Sequence, residues 1–245
     1  MSSSKLAAAS EPQPAVILAV AAHPDDLEFG VAGSIAKWVK AGAKAYYLVF
    51  TDGSKGSADR TAVAAELIRC RRQEQQAAAD ILGVAEVFFL DYEDGMLQVA
   101  RPLKLDIARL IRRLRPDVVM AMDPTFVYST TYNFVNHTDH RAAGQATLDA
   151  VFPLARDHLS FPELLAEGLE PHKVKTLLLT NFDKHNCFVD ITDTFETKMQ
   201  ALAAHASQIP GLGAAQAKLH SLAAERGRQA GCKLAESFVR IDLPK

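Results

Sequence analysis

Cysteine is scarce in this chain of 245 residues: there are three, Cys70, Cys187 and Cys232, far apart and without a CxxC pair. An odd, scattered set excludes a disulfide framework and a thiolate zinc site, and it fits a reducing cytoplasm. Neither sign of charge dominates. The 27 Lys and Arg residues against 29 Asp and Glu leave a net charge of −2, which removes the electrostatic case for nucleic acid or an anionic membrane. No apolar run approaches the ~20 residues of a membrane span. The opening stretch MSSSKLAAASEPQP holds one Lys and no apolar segment long enough for a signal peptide, so residues 1–14 read as a disordered lead-in. Internal repeats and low-complexity tracts are missing too. So are the glycine-rich phosphate loops: no GxGxxG follows the first apolar run, and His23-Pro24 stands there instead, where proline offers no N–H to a phosphate.

What is present is ordinary globular material, 49% hydrophobic and 23% charged, enough for one large domain or two small ones. Short apolar runs alternate with longer amphipathic segments. Strands are expected near Val16–Ala22, Lys44–Thr51, Val87–Leu90, Asp117–Met122, Val174–Thr180 and Cys187–Asp190. Helices are expected near Val31–Ala41, Arg60–Leu82, Pro102–Leu114, Asp139–Val151, Asp193–Ser207 and Ala214–Ala230. Gly42 and Gly83 sit where left-handed caps are needed, Pro102 opens a helix, and Thr192 or Asp193 caps the fifth. The first four repeats are βαβ units, so the fold class is α/β: a mostly parallel sheet with helices on both faces, in a single domain over residues 15–245. Thr125–Asn136 reads as a site loop and Pro153–Pro171 as an irregular flap. The Arg112-Arg113-Arg115 group reads as a helix face, and exposed ends of the C-terminal helices offer a way to form a homo-oligomer.

Two clusters carry the chemistry. Ala22-His23-Pro24-Asp25-Asp26-Leu27-Glu28 closes the first buried strand, and His137-Thr138-Asp139-His140-Arg141 follows the fourth after a long loop. Charged groups at the carboxyl ends of buried strands sit where open α/β sheets bind ligands. Crowding them is costly unless a cation or a reaction needs them. His137 and His140, at i and i+3, share one side of a helical turn. A hydrolytic Zn²⁺ site takes three ligands from His and Asp/Glu and keeps one position open for water. His23, Asp26 and His140 as ligands, with Asp25 and His137 left for proton work, satisfy that count. Alone, the first cluster reads equally as a turn with a capping Asp, and the second as a solvated first helical turn. Their occurrence together at two strand ends favours a site.

The motifs AHPDDLE (Ala22–Glu28), TDG (Thr51–Gly53), RRQEQQAAADILGV (Arg71–Val84) and HTDHRAAG (His137–Gly144) resemble the LmbE/PIG-L family of zinc-dependent N-deacetylases. VDITDTFETKMQALAAHASQ (Val189–Gln208) and AESF (Ala235–Phe238) resemble its C-terminal part, so the likeness runs from about Val16 to Phe238. The resemblance implies a Rossmann-like α/β fold and removal of acetyl from N-acetylglucosamine-type substrates. It implies that His23, Asp26 and His140 bind one Zn²⁺, that Asp25 is the general base, and that His137 stabilises the oxyanion or serves as acid. Asp139 would orient a histidine. Arg71 falls at the family's sugar-binding arginine and Asp94 at its hydroxyl-binding carboxylate. From the residues alone, Arg71 equally forms a helix salt bridge with Glu74 or Asp80, and Asp94 is equally a turn residue before Gly95. Glu28 reads both as a partner of the site and as a first-turn helix acid. His205 reads as a helix-face residue that could reach the site. Val135 departs from the family, standing where some relatives carry a catalytic tyrosine, with Tyr128 and Tyr132 as substitutes. A zinc amidase of a thiol-sugar conjugate or other non-sugar amide, and a metal- or carbohydrate-binding protein without turnover, are the alternatives; Fe²⁺, Co²⁺ or Mn²⁺ also suit a His₂Asp site.

Overall fold

The computed structural model describes residues 11–244. Its strands are β1 (Val16–Ala21), β2 (Lys44–Thr51), β3 (Glu86–Tyr92), β4 (Val118–Met122), β5 (Tyr128–Ser129), β6 (Phe134–Val135), β7 (Thr176–Thr180), β8 (Cys187–Asp190) and β9 (Ala235–Asp242). Its helices are α1 (Asp26–Gly30), α2 (Ala32–Lys40), α3 (Ala64–Leu82), α4 (Arg101–Leu114), α5 (Thr138–Asp149), α6 (Pro162–Ala166), α7 (Phe195–Ala203) and α8 (Gly213–Ala230). Seven strands form one sheet in the order β3-β2-β1-β4-β7-β9-β8. The first five run parallel, and β9 pairs antiparallel with both β7 and β8. The other two, β5 and β6, make a separate small hairpin.

β1 is apolar throughout because it lies between β2 and β4 with both faces covered. Ile17, Ala19 and Ala21 pack into a core with Ile35, Trp38 and Leu202. Leu18 and Val20 pack into the opposite core with Phe50, Leu103 and Ile107. Strand order turns around at β1: β2 and β3 extend to one side, β4 and β7 to the other. That reversal opens a crevice beyond the carboxyl ends of β1 and β4, where both motifs emerge.

Several local expectations are corrected. The helix expected at Val31 begins at Asp26 and breaks at Val31 (φ −136°), giving α1 and α2. α3 begins at Ala64 rather than Arg60, and α7 ends at Ala203 rather than Ser207. Neither Thr192 nor Asp193 caps α7: the Thr192 hydroxyl donates to Asp190, and Thr194 holds the cap position with its hydroxyl on Gly33 O. β9 was not among the expected strands, its Glu236 and Ser237 obscuring the pattern. Pro153–Pro171 is no flap over the crevice. Buried Arg112 donates to the carbonyls of Leu154, Ala155, Asp157 and Ser160, pinning this segment beyond the far end of α5. Of the lead-in, residues 1–10 lie outside the described residues, whereas Pro12 is buried and Glu11 pairs with Lys37 at 2.7 Å.

Candidate active site

After β1 the chain passes His23 and Pro24 and turns at Asp25, which holds a left-handed backbone (φ 95°, ψ −26°). For a residue with a Cβ this costs about 1–3 kcal/mol and persists only where the surroundings impose it. The turn lets Asp26 open α1 and fold back, so that the His23 N–H donates to Asp26 Oδ2 at 2.8 Å. On the other side of the crevice His137 caps α5, its Nδ1 accepting the Asp139 N–H at 3.2 Å. Gly144 allows α5 to lie on the end of β4: a Cβ there would stand 2.2 Å from Met122 O. This close approach carries His140 to Asp26.

The two clusters meet. His140 Nε2 lies 3.1 Å from Asp26 Oδ1, and His23 Nδ1 lies 3.5 Å from Asp26 Oδ2. One donor atom from each of His23, Asp26 and His140 falls within 4.8 Å of the others, as it also does for His23, His137 and Asp139. The first set is the freer one. Asp139 already accepts from Gly95 N at 2.6 Å and Leu97 N at 3.1 Å, while His137 Nδ1 is taken by the α5 backbone. His23 Nε2 faces Asp139 Oδ2 (3.3 Å) and Asp94 Oδ1 (3.2 Å), leaving Nδ1 toward Asp26. His140 Nδ1 contacts Asn136 Oδ1 at 3.0 Å, leaving Nε2 toward Asp26. Two imidazoles and a carboxylate, each oriented by a second partner, fit a divalent cation.

Without a cation, the carboxylates dominate the electrostatics of the cluster. Burial disfavours charge on His23, but the carboxylates of Asp139, Asp26 and Asp94 outweigh it and push its pKa up to about 12. For Asp26 burial again opposes the charge, and His140 and His23 nonetheless hold it well below the usual carboxylate range. Asp25 goes the other way: burial, then the charge of Asp26, raise it to about 7 against the pull of Arg71. His137 is lowered, first by burial and then by the charge on His23. With Nδ1 accepting a backbone N–H, a neutral His137 carries its proton on Nε2.

Arg71 and Asp94 both reach the site, and both are buried. Arg71 makes no pair with Glu74 or Asp80. It donates to Gly53 O (2.9 Å) and Pro24 O (2.7 Å) and lies 3.3 Å from Asp25 Oδ2, while its Nε is buried without a partner. Gly53 (φ +66°) makes room, since a Cβ there would stand 2.8 Å from Arg71 Nη1. Asp94 is more than a turn residue: besides His23 it accepts from Lys55 N at 3.0 Å. His205 is not on a helix face. It lies beyond the end of α7, fully buried, with Nε2 donating to Glu28 Oε2 at 3.0 Å. Val135 is exposed on β6, with Tyr128 directly across the ladder, and Tyr132 packs on Phe182 at 5.9 Å.

Two features escaped the sequence reading. Gln75, in the middle of α3, accepts the Asp25 N–H at 3.0 Å; its place in the RRQEQQ stretch was the available signal. A cavity of about 480 Å³ shares Asp26 and His140 with the cluster and is walled by Phe126, Phe134, Phe182 and Leu222. Those phenylalanines lie on two separate loops and on β6, with no periodicity to group them.

A mostly parallel α/β sheet with a His–His–Asp cluster at its switch point is the frame of a metal-binding enzyme site. The comparisons specify it. Residues 18–151 match the family described as PIG-L: GlcNAc-PI de-N-acetylase. Diacetylchitobiose deacetylase of Thermococcus kodakarensis is 36% identical over 194 residues, covering 79% of this chain and 70% of that protein. The probable N-acetyl-alpha-D-glucosaminyl L-malate deacetylase 2 of Bacillus anthracis is 26% identical over 201 residues, covering 78% and 80%. The solved N,N'-diacetylchitobiose deacetylase from Pyrococcus horikoshii, complexed with its inhibitor MPG, superposes with a TM-score of 0.86 at 30% identity, over 94% of this chain and 84% of that one. This chain belongs to the PIG-L (LmbE) family of N-deacetylases.

Proposed function

We propose that this protein hydrolyses an N-acyl group, acetyl in the simplest case, from an amino sugar or sugar conjugate, using one Zn²⁺ held by His23, Asp26 and His140. The observation that carries the reading is the meeting of those three donors within 4.8 Å of one another, with the strained Asp25 beside them. When bound, the cation polarises an amide carbonyl and makes a neighbouring water acidic near neutral pH. The protein's residues do the rest. The Asp25 carboxylate takes a proton from the attacking water. His137 donates from Nε2 to the oxygen on which negative charge develops. The departing amine receives its proton from Asp25 or His137. Asp139 holds His23 by Nε2 and so fixes which nitrogen faces Asp26. Arg71, which lies 3.3 Å from Asp25 Oδ2, and Asp94 are the proposed substrate-binding pair.

The apolar cavity beside Asp26 and His140 favours a conjugate over a bare sugar, and it keeps alive the second reading, an amidase of a non-sugar or thiol-sugar amide. A binding protein without turnover would have no use for Asp25. The three cysteines are free and no helix among the described residues is long and apolar enough to cross a membrane; a cytoplasmic setting is part of the same proposal. The test is metal content and acetate release, measured on wild type beside His140→Ala. About one zinc per chain, lost in the variant together with acetate release from N-acetylglucosamine conjugates, supports the reading. Metal without release on any amino sugar moves the assignment to other amides. A metal-replete preparation that takes up no metal overturns it.

A further inference from the structure

Behind Asp25 lies a buried polar chain that the proposed reaction does not use. The Asp25 N–H donates to Gln75 Oε1 at 3.0 Å, and Gln75 Nε2 donates to Glu28 Oε1 and Oε2 at 3.1 and 3.2 Å. The His205 ring, from the other end of the chain, donates through Nε2 to Glu28 Oε2 at 3.0 Å. Glu28, Gln75 and His205 are all fully buried. A carboxylate only accepts, so Glu28 fixes the Gln75 amide with Nε2 inward and Oε1 toward Asp25. His205 in turn fixes Glu28. Its Nδ1 is buried with no partner, so the Glu28 contact is the ring's one hydrogen bond among the described residues. The segment carrying it is docked onto the same region: Ser207 N and Oγ both donate to Glu74 at 2.7 Å, and Gln208 Nε2 donates to Gly56 O at 3.1 Å. Three of the four residues of His205-Ala206-Ser207-Gln208 thus point their polar atoms at α1, α3 and the loop between β2 and α3.

We propose that His205 is a positioning residue for Asp25, acting through Glu28 and Gln75 to hold the left-handed backbone that aims the carboxylate. The inference rests on Asp25 being the base. It gives the C-terminal region a part in the site without contact with metal or substrate. The strained φ of Asp25 needs an external constraint, and the Gln75 acceptor supplies one at the backbone N–H itself.

The test compares His205→Phe, which keeps the ring's bulk and removes the donor, with His205→Gln, which restores an N–H. Expected for His205→Phe is a kcat roughly 10–100-fold lower with KM and metal content unchanged, as for other outer partners of a site. His205→Gln is expected to recover most of the loss. A crystal structure of His205→Phe is expected to show Asp25 out of the left-handed region. Wild-type kcat in His205→Phe, no recovery in His205→Gln, or an Asp25 backbone unmoved in the His205→Phe crystal would each overturn the proposal. Should His205→Phe fail to fold, Gln75→Met breaks the same chain one link nearer Asp25 and is read identically. Inactivity of the wild type on every amino sugar would overturn the proposed function and leave the Asp25 backbone to decide this inference.

Discussion

The two edges of the central sheet both bury charge, and they do so in opposite ways. At the amino edge Arg112 is 2% exposed and spends its guanidinium on five carbonyls at 2.7–3.4 Å. Asp117 there accepts from Ala15 N, Val16 N and Lys175. These charges are satisfied by backbone and ion pairs, and they close the structure. At the carboxyl edge His23, Asp25, Asp26, Asp94, Asp139, His137 and His140 face one another, and the carboxylates outnumber what His23 and Arg71 balance. Left-handed backbone does not separate the two edges: Asp25 holds it here, and Arg115 and Phe161 hold it near Arg112. Buried charge by itself does not mark a functional site, nor does a buried ion pair such as Lys198 with Glu236; a cluster of several titratable groups at a crevice is the stronger sign.

The sharpest way to break that contrast is to remove a donor from the carboxyl edge. His140→Ala or Asp26→Ala is expected to abolish metal binding and turnover together while the fold survives, because neither side chain supports the core. Elemental analysis, circular dichroism and acetate release on one preparation check this. Asp25→Asn is expected to separate the two losses. Metal stays near one per chain and kcat falls by about 10²–10⁴, the usual range for a lost general base. Near-normal turnover in that variant would remove Asp25 from the mechanism.

How much of this was legible follows the same division. The meeting of His23, Asp26 and His140 was readable because each cluster is local in sequence, and the parallel topology brings the ends of β1 and β4 and the segments after them together. Gln75, Glu28 and His205 were not, because their meeting depends on how α3 and the segment after α7 pack on α1, and no spacing encodes that. Arg112 was misjudged for a related reason. In Arg112-Arg113-Arg115 the charge is visible, but which arginine turns inward depends on the carbonyls of a segment some 40 residues on. β9 was hidden by Glu236, whose carboxylate is consumed by Lys198, Ser34 and the Gly33 N–H, a use that only the folded chain reveals.

Smaller effects sharpen the comparison. His137→Ala is expected to lower kcat by about 10²–10³ with metal retained, the cost of losing one oxyanion donor. The pH profile is expected to show an acid limb. Burial and Asp26 raise Asp25 to about 7, so its basic form is lost as pH falls through that value. A bound cation offsets the charge of Asp26 and moves the limb lower. Kcat/KM should therefore be on its plateau above about pH 7. A limb well above neutrality would point to another base.

The smallest expected effect on turnover comes from the opposite edge, and it is the control that gives the comparison its meaning. Arg112→Met keeps most of the side-chain volume and removes the guanidinium. The carbonyls of Leu154, Asp157 and Ser160 lose a buried donor, and an unsatisfied buried acceptor costs about 1–3 kcal/mol. The segment after α5 can relax toward solvent and recover part of this, so a net loss of about 2–4 kcal/mol is expected, read as a lower midpoint in urea. Kcat, KM and metal content at a temperature where the variant is folded should equal those of wild type, because Arg112 lies at the other end of α5 from His137 and His140. A variant that is destabilised and fully active confirms that the two buried-charge regions do different jobs. A fall in kcat without loss of metal would mean that α5 transmits strain along its length to His140, and the division between the edges would fail.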